Sequence, residues 1–200
     1  MTRPVLIDLF VEDSAHERLL LPLIHRIATG EGKSIQIQVR SARGGHAKAI
    51  EEMRKIQDLI ADGFAGIPMP TLFLVGIDGN CSTAAEKKKA IRAATRPEFS
   101  DRLVLACPDP HIERWYMADP DSFQALIGLR PVVGKEKCQR DHYKHLLAST
   151  VSKAGHPSTL QGLEWAEEIV EAMDLSRAST LDPELGRFLT DLRGMLRTAR

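Results

Sequence analysis

Residues 5–13 read VLIDLFVED, an apolar run broken by Asp8 and ended by two acidic residues. A near-continuous apolar run of this length is typical of a strand that is covered on both faces, as in a parallel sheet. The following residues predict a helix, because Ser14 is in an N-cap position, Glu17 is in the capping-box position and Gly30 ends the helical spacing. The opening segment therefore predicts a strand followed by a helix.

The alternation of strand and helix continues through the first half of the chain. Further strands are predicted at residues 34–40, 71–77 and 103–107, with helical spacing after Gly44-Gly45 and at 82–95. From residue 112 onward the pattern predicts helices near 112–128, 135–154, 159–174 and 183–197. Right-handed crossovers between successive strands favour one mostly parallel sheet. We therefore predict an α/β domain over residues 1–128, with a four-stranded sheet flanked by helices. Residues 129–200 are predicted to form a helical extension packed on the same core.

The composition limits the partners and the compartment. Lysine plus arginine and aspartate plus glutamate both number 27, so the formal net charge is zero. Proteins that hold nucleic acid by their bulk charge are usually basic, so phosphate binding here would need a local patch or a metal ion. The three cysteines, Cys81, Cys107 and Cys138, lack CxxC spacing, which predicts a reducing compartment without a disulfide framework. With no signal-peptide pattern and no run of ~20 apolar residues, we expect a cytoplasmic protein.

Three acidic residues lie at or just beyond the predicted strand ends. Glu12 ends the first strand, Asp78 ends the third, and Glu113 follows the fourth. Ligands of a parallel sheet bind beyond the carboxyl ends of its strands, and carboxylates gathered there repel one another unless a cation lies between them. Oxygen ligands of this kind suit Mg²⁺. The alternative is that Asp78 only caps the next helix and that Glu12 is solvated in a loop.

Three segments carry a family resemblance. They are LFVEDSAHERLLLPLI (9–24), TLFLVGIDGNCS (71–82) and PDPHIERWYMADPDSF (108–123). They resemble the signatures of Toprim-type proteins, namely the small bacterial Toprim-like proteins and the nuclease domains of the overcoming-lysogeny-defect family, over about residues 4–128. The resemblance implies a Toprim-like fold and a nuclease that uses Mg²⁺ or Mn²⁺ to cut phosphodiester bonds. It further implies a role in phage or plasmid defence, DNA favoured over RNA as substrate, a separate ATPase subunit and a homodimer.

The resemblance also assigns roles to acidic residues. It makes Glu12 the catalytic acid/base or metal-bound glutamate, and Asp78 the first metal ligand of an Asp-x-Asp motif. The second aspartate of that motif is Asn80 here, which keeps a carbonyl oxygen for the metal but brings no charge. Glu113, in a Glu-x-Trp segment, is implied as a catalytic residue or metal-associated group. Asp13 replaces the usual glycine and is either one more ligand or a residue that favours the helix N-terminus.

Basic residues are needed to hold phosphate oxygens and to stabilise developing charge. Arg43 and Lys48 flank Gly44-Gly45 at the start of the second helix, where free backbone N–H groups also attract anions. Lys144, in the helical extension, is implied by the resemblance to approach the site as a catalytic residue. The alternative for each of them is a solvated surface residue.

Other interpretations stay open. His111 precedes Glu113 by two residues and could serve as a general base. Cys138, His142 and His145 would share one helical face and could bind Zn²⁺, although a fourth ligand is not evident. Finally, Asn80 and the neutral charge favour a second function, a non-catalytic interaction subunit of an ATPase complex.

Overall fold

A computed structural model describes residues 3–41, 44–139 and 141–199, with Ser41 described by its backbone alone. The strands are β1 Val5–Val11, β2 Ile35–Ser41, β3 Leu72–Gly76 and β4 Leu103–Ala106. The helices of the first half are α1 Ser14–Gly30, α2 His46–Ala61, α3 Ala84–Ala94, α4 Glu113–Tyr116 and α5 Pro120–Ile127. Those of the second half are α6 His142–Lys153, α7 Ala166–Ala172, α8 Leu175–Leu181 and α9 Pro183–Thr198.

The four strands form one parallel sheet in the order β2-β1-β3-β4. Side chains alternate across it, so β1, β3 and β4 contribute apolar residues to both faces, whereas the apolar residues of β2 lie on one face only. The structure thereby confirms the predicted α/β class, a four-stranded parallel sheet flanked by helices with a helical C-terminal part. In the register of β1 with β3, Val11 is paired with Gly76, so the two strands end at the same level.

Two apolar clusters cover the two faces of the sheet. On one face, α2 and α3 pack around Phe10 and Phe73, which are both fully buried. The other face carries α1 and the C-terminal helices, and there the ring of Trp115 lies 5.6 Å from that of Phe188 in α9. Helix α9 also contacts β4, and α7 contacts α1. The helices after residue 128 therefore share an apolar cluster with the strands.

The start of α1 differs from the prediction by one residue. Asp13, not Ser14, is the N-cap, and its carboxylate accepts hydrogen bonds from the backbone N–H groups of Ala15 and His16. A carboxylate at this position also interacts favourably with the helix dipole, so aspartate is at least as good a cap as serine. Glu17 consequently lies outside the capping-box position.

The C-terminal helices are shorter and more numerous than predicted. The helix expected from residue 135 begins at His142, because Cys138 and Asp141 both have a positive φ, near 60°, that is incompatible with a right-handed helix. The helix expected over 159–174 is confined to α7, and α8 was not predicted. Asp174 starts α8 by accepting hydrogen bonds from the N–H groups of Ser176 and Arg177. Within the described residues, no helix combines the length and apolar character needed to cross a membrane.

Candidate active site at the carboxyl ends of the strands

A cavity of about 290 Å³ lies at the edge of the sheet where β1, β3 and β4 end. Its lining includes Asp13, Asp78, Asn80, His111, Glu113 and Lys144. Glu12 joins this group by accepting a hydrogen bond from the backbone N–H of Asp78 at 3.0 Å. The parallel register produces this arrangement, because neighbouring strands that end at one level deliver their following residues to one place. We call Glu12, Asp78 and Glu113 the acidic edge.

Asp78 is the most constrained member of the acidic edge. Its Oδ1 accepts a hydrogen bond from the backbone N–H of Ile112 at 2.8 Å, and its Oδ2 accepts one from His111 Nδ1 at 2.9 Å. Burial would raise the pKa of the Asp78 carboxyl, but the charge of His16 and the hydrogen bond from His111 hold the pKa below its ordinary value. The hydrogen bond that His111 donates to Asp78 also raises the pKa of His111. Asp78 is therefore an ionised carboxylate with fixed orientation.

His16 is a completely buried residue that the sequence analysis did not single out. Its Nδ1 lies 2.8 Å from Asp13 Oδ1 and its Nε2 lies 3.1 Å from Asp78 Oδ1, the second contact being an ion pair without good hydrogen-bond direction. Burial works against a charged ring, yet the charge of Asp78 and the hydrogen bond that the ring donates to Asp13 raise the pKa of His16 to about 10. His16 is therefore an imidazolium between two carboxylates.

The close approach of α1 to β3 depends on a glycine. A Cβ atom on Gly76 would lie 2.6 Å from Leu20 Cδ1 and 3.5 Å from the His16 ring. Because glycine has no side chain, α1 can lie directly over the end of β3 and bring His16 to Asp78. The available signal for His16 was a polar residue on the otherwise apolar inner face of α1, three residues after an acidic N-cap.

Glu12 and Glu113 contrast with Asp78, because no ion pair is found for either within the described residues. Burial, followed by the charge of Asp78, raises the pKa of Glu113 to about 7. The same two causes raise the pKa of Glu12. Both carboxyls are thus held close to a like charge without a dedicated cation.

The loop after β3 places Asn80 in the cavity wall. The backbone N–H groups of Gly79 and Asn80 donate to the carbonyl oxygens of Pro108 and Pro110, which ties this loop to the corner after β4. A Cβ atom on Gly79 would lie 3.1 Å from the Pro108 oxygen, so a larger residue would push the loops apart. Asn80 itself has φ +53°, a left-handed conformation that asparagine tolerates.

The three predicted basic residues fall in different places. Lys144, in α6, lines the same cavity as Asp78 and Glu113. Lys48 lies instead in α2, where its ammonium is 3.4 Å from Glu51 and 3.6 Å from Glu52, and it is not part of the cavity lining. Arg43 lies outside the described residues.

Two of the cysteines are paired, contrary to the expectation of reduced thiols. Cys81 and Cys138 form a disulfide with their Cα atoms 4.7 Å apart, in the range usual for such bonds, while Cys107 is a buried free thiol. Spacing in sequence could not reveal the pair, because 57 residues separate its members. The arrangement of Cys138, His142 and His145 on one helical face is also wrong, because α6 begins only at His142.

The chemistry of the donors fits a hard divalent cation. Within residues 3–41, 44–139 and 141–199, no three His, Cys, Asp or Glu side chains are placed so that they could hold a metal ion together. Mg²⁺, however, is commonly bound by one or two carboxylates, with waters and substrate phosphates completing its shell. Glu12 is an oxygen donor whose pKa is raised by burial and by the charge of Asp78. Together with the Asp78 carboxylate and the Asn80 carbonyl oxygen, it would hold Mg²⁺.

Comparison of the chain with protein-family models, with curated proteins and with solved structures finds no match. The resemblance of three segments to Toprim-type proteins therefore stays a prediction, and function is inferred from the site alone.

Proposed function

We propose that the chain is a Mg²⁺-dependent phosphodiester hydrolase, a nuclease acting on DNA in preference to RNA. The observation that carries the proposal is that Asp78 and Glu113 share one cavity with Lys144, while Glu12 is hydrogen-bonded to the backbone of Asp78. This combination suits nuclease chemistry, because a cation and an ammonium group together offset the charge of a phosphate that is being attacked.

Each residue has a distinct role in this proposal. Glu12, Asp78 and Asn80 would hold the cation, which would lower the pKa of a bound water and neutralise charge on the scissile phosphate. Lys144 would bind a phosphate oxygen and stabilise the charge that develops there. Glu113, whose pKa is raised to about 7, would exchange a proton with the attacking water or the leaving oxygen, since a group near neutral pKa is effective in both directions.

The biological setting rests on the resemblance to Toprim-type proteins. It supports defence against phage or plasmid DNA in the cytoplasm, with a separate ATPase subunit and with the chain itself as a homodimer. A second function, a non-catalytic interaction subunit of that ATPase complex, is favoured by Asn80 in the place of an aspartate. The hydrogen bonds from Ile112 and His111, with the ion pair to His16, also favour it, because they already occupy most of the Asp78 carboxylate.

A cleavage assay tests the proposal. Wild type, Glu113→Gln and Lys144→Gln are incubated with single- and double-stranded DNA and RNA in Mg²⁺ or Mn²⁺. Wild type should cut DNA, and each variant should be slower by about 100-fold or more. Lys48→Gln is the matched control for Lys144→Gln and should keep wild-type activity. A wild type that is inert with both metals on all substrates, with or without an ATPase subunit, would support the interaction subunit instead.

A further inference from the structure

Residues 129–139, which we call the strap, connect α5 to α6 along one wall of the cavity. The strap carries neither helix nor strand, and its Val132 side chain is 84% exposed. Its last residues, Cys138 and Gln139, line the cavity, as does Lys144 in the first turn of α6. The strap therefore forms part of the cavity wall.

The strap is anchored near its start by the buried Pro131 and by Val133, which packs against the apolar core. Its other contacts include ion pairs of exposed side chains, such as that of Arg130 with Asp121. Lys137 forms an ion pair with Asp109 at 2.7 Å, and the Tyr143 hydroxyl donates to the carbonyl oxygen of Gly134 at 3.1 Å. An ion pair between partly exposed side chains contributes little. The disulfide from Cys138 to Cys81 is the covalent link between the strap and the loop that follows Asp78.

We propose that Cys81 and Cys138 are a reversible thiol-oxidation site whose disulfide fixes the strap at the wall of the cavity. A glutathione-type disulfide is the oxidant. One thiolate attacks it and releases one glutathione thiol, and the second cysteine then displaces the other, so two electrons and two protons pass to the oxidant. Reduction by thiols reverses both steps. The inference does not depend on the proposed nuclease function.

Exposure separates this pair from the third cysteine. Cys81 and Cys138 are both exposed, so soluble thiols and disulfides can reach them, and exposed disulfides are the labile and regulatory ones. Cys107 is 1% exposed, and burial raises its pKa to about 12, so it stays an unreactive thiol. It serves as an internal control.

The test compares oxidised and reduced protein directly. Wild type is treated with oxidised glutathione or with dithiothreitol, alkylated and analysed by mass spectrometry, and amide hydrogen exchange is followed in both states. Oxidation should protect Cys81 and Cys138 from alkylation. Reduction should accelerate exchange in the strap by at least ten-fold, with no change in α9. Cys81→Ser and Cys138→Ser should resemble reduced wild type in both conditions, whereas Cys107→Ser should keep the response.

Two results would overturn the inference. One is that glutathione leaves only mixed disulfides on Cys81 or Cys138 and no bond between them. The other is that the bond forms but exchange in the strap is the same in both states. The comparison within wild type stands even if a serine variant does not fold.

Discussion

Among the places where the molecule buries acidic groups, the surroundings of Asp119 and the acidic edge differ in the partners that they give a carboxylate. Asp119, at the start of α5, is 2% exposed and accepts hydrogen bonds from Arg177 Nε at 2.6 Å and Nη2 at 2.8 Å. The backbone N–H of Asp174 donates to it as well, at 2.8 Å. These contacts, which we call the latch, join α5 to α8 and hold the pKa of Asp119 far below its ordinary value despite its burial.

At the acidic edge, the pKa of a buried carboxyl is raised instead of lowered. Glu113 is also buried, but burial and the charge of Asp78 raise its pKa to about 7, and no cation of the described residues is paired with it. The buried Asp119 carboxylate has its own cation and backbone donor. A carboxylate that is buried without them is held at a cost in stability, as functional groups often are. The two regions should therefore respond to charge removal with opposite signs.

The largest expected effect is at the latch. Arg177→Ala should give the largest loss in the free energy of unfolding, because it leaves the 2% exposed Asp119 carboxylate without its cation, although solvent at the 39% exposed Arg177 side chain reduces that loss. Urea denaturation at pH 7 measures the loss. Arg187→Ala, which removes an exposed arginine paired with Glu184, is the control and should change stability by less than about 1 kcal/mol. Equal losses in both variants would remove the distinction between the latch and an ordinary surface pair.

The next largest change in stability is expected at His16, whose buried imidazolium lies beside the acidic edge. Its pKa rises from 6.5 in the unfolded chain to about 10 in the fold, so its stabilising contribution is complete below pH 6.5 and is lost as pH rises toward 10. We expect the stability difference between wild type and His16→Gln to shrink by about 3 kcal/mol between pH 6 and pH 9. Urea denaturation in chelator measures it, and a difference independent of pH would mean that His16 is buried uncharged.

Removing the charge of Glu113 should change the free energy of unfolding by less, and in the opposite direction. Its folded pKa of about 7 exceeds the unfolded value of 4.5, so the ionised group destabilises the fold increasingly as pH rises from 4.5 to 7 and constantly above that. Glu113→Gln should therefore be more stable than metal-free wild type by about 1–3 kcal/mol at pH 8 and nearly equal at pH 4. Thermal or urea unfolding in chelator is the measurement. A destabilised variant at pH 8 would make Glu113 a structural residue like Asp119.

The smallest change in stability is expected at an exposed ion pair, which serves as the reference for both regions. Glu51 is an exposed residue whose carboxylate lies 2.7 Å from Lys55 and 3.4 Å from Lys48. Glu51→Gln should change stability by less than about 1 kcal/mol, because exposed ion pairs are screened by water and salt. A larger change in urea denaturation would show that surface pairs contribute as much as the latch.

The sequence predicts the regular parts of this molecule and misses those that depend on partners. The apolar run of β1 and the strand–helix alternation were sufficient for the parallel sheet, and hence for placing Glu12 beside Asp78. The pairing of Cys81 with Cys138 could not be predicted, because the two residues meet only in the folded chain, where the strap lies beside the loop that follows β3. His16 was missed for a related reason: a buried histidine is recognisable as an imidazolium only once both of its carboxylate partners are known.

The proposed function requires that the acidic edge binds a divalent cation. A crystal of the chain soaked in Mn²⁺ tests it most directly, with anomalous scattering as the readout. The account predicts a strong anomalous peak within coordination distance of Glu12, Asp78 and Asn80, and its loss in Glu12→Gln. A cavity without a peak at saturating Mn²⁺, or a peak found only at carboxylates elsewhere, would contradict it.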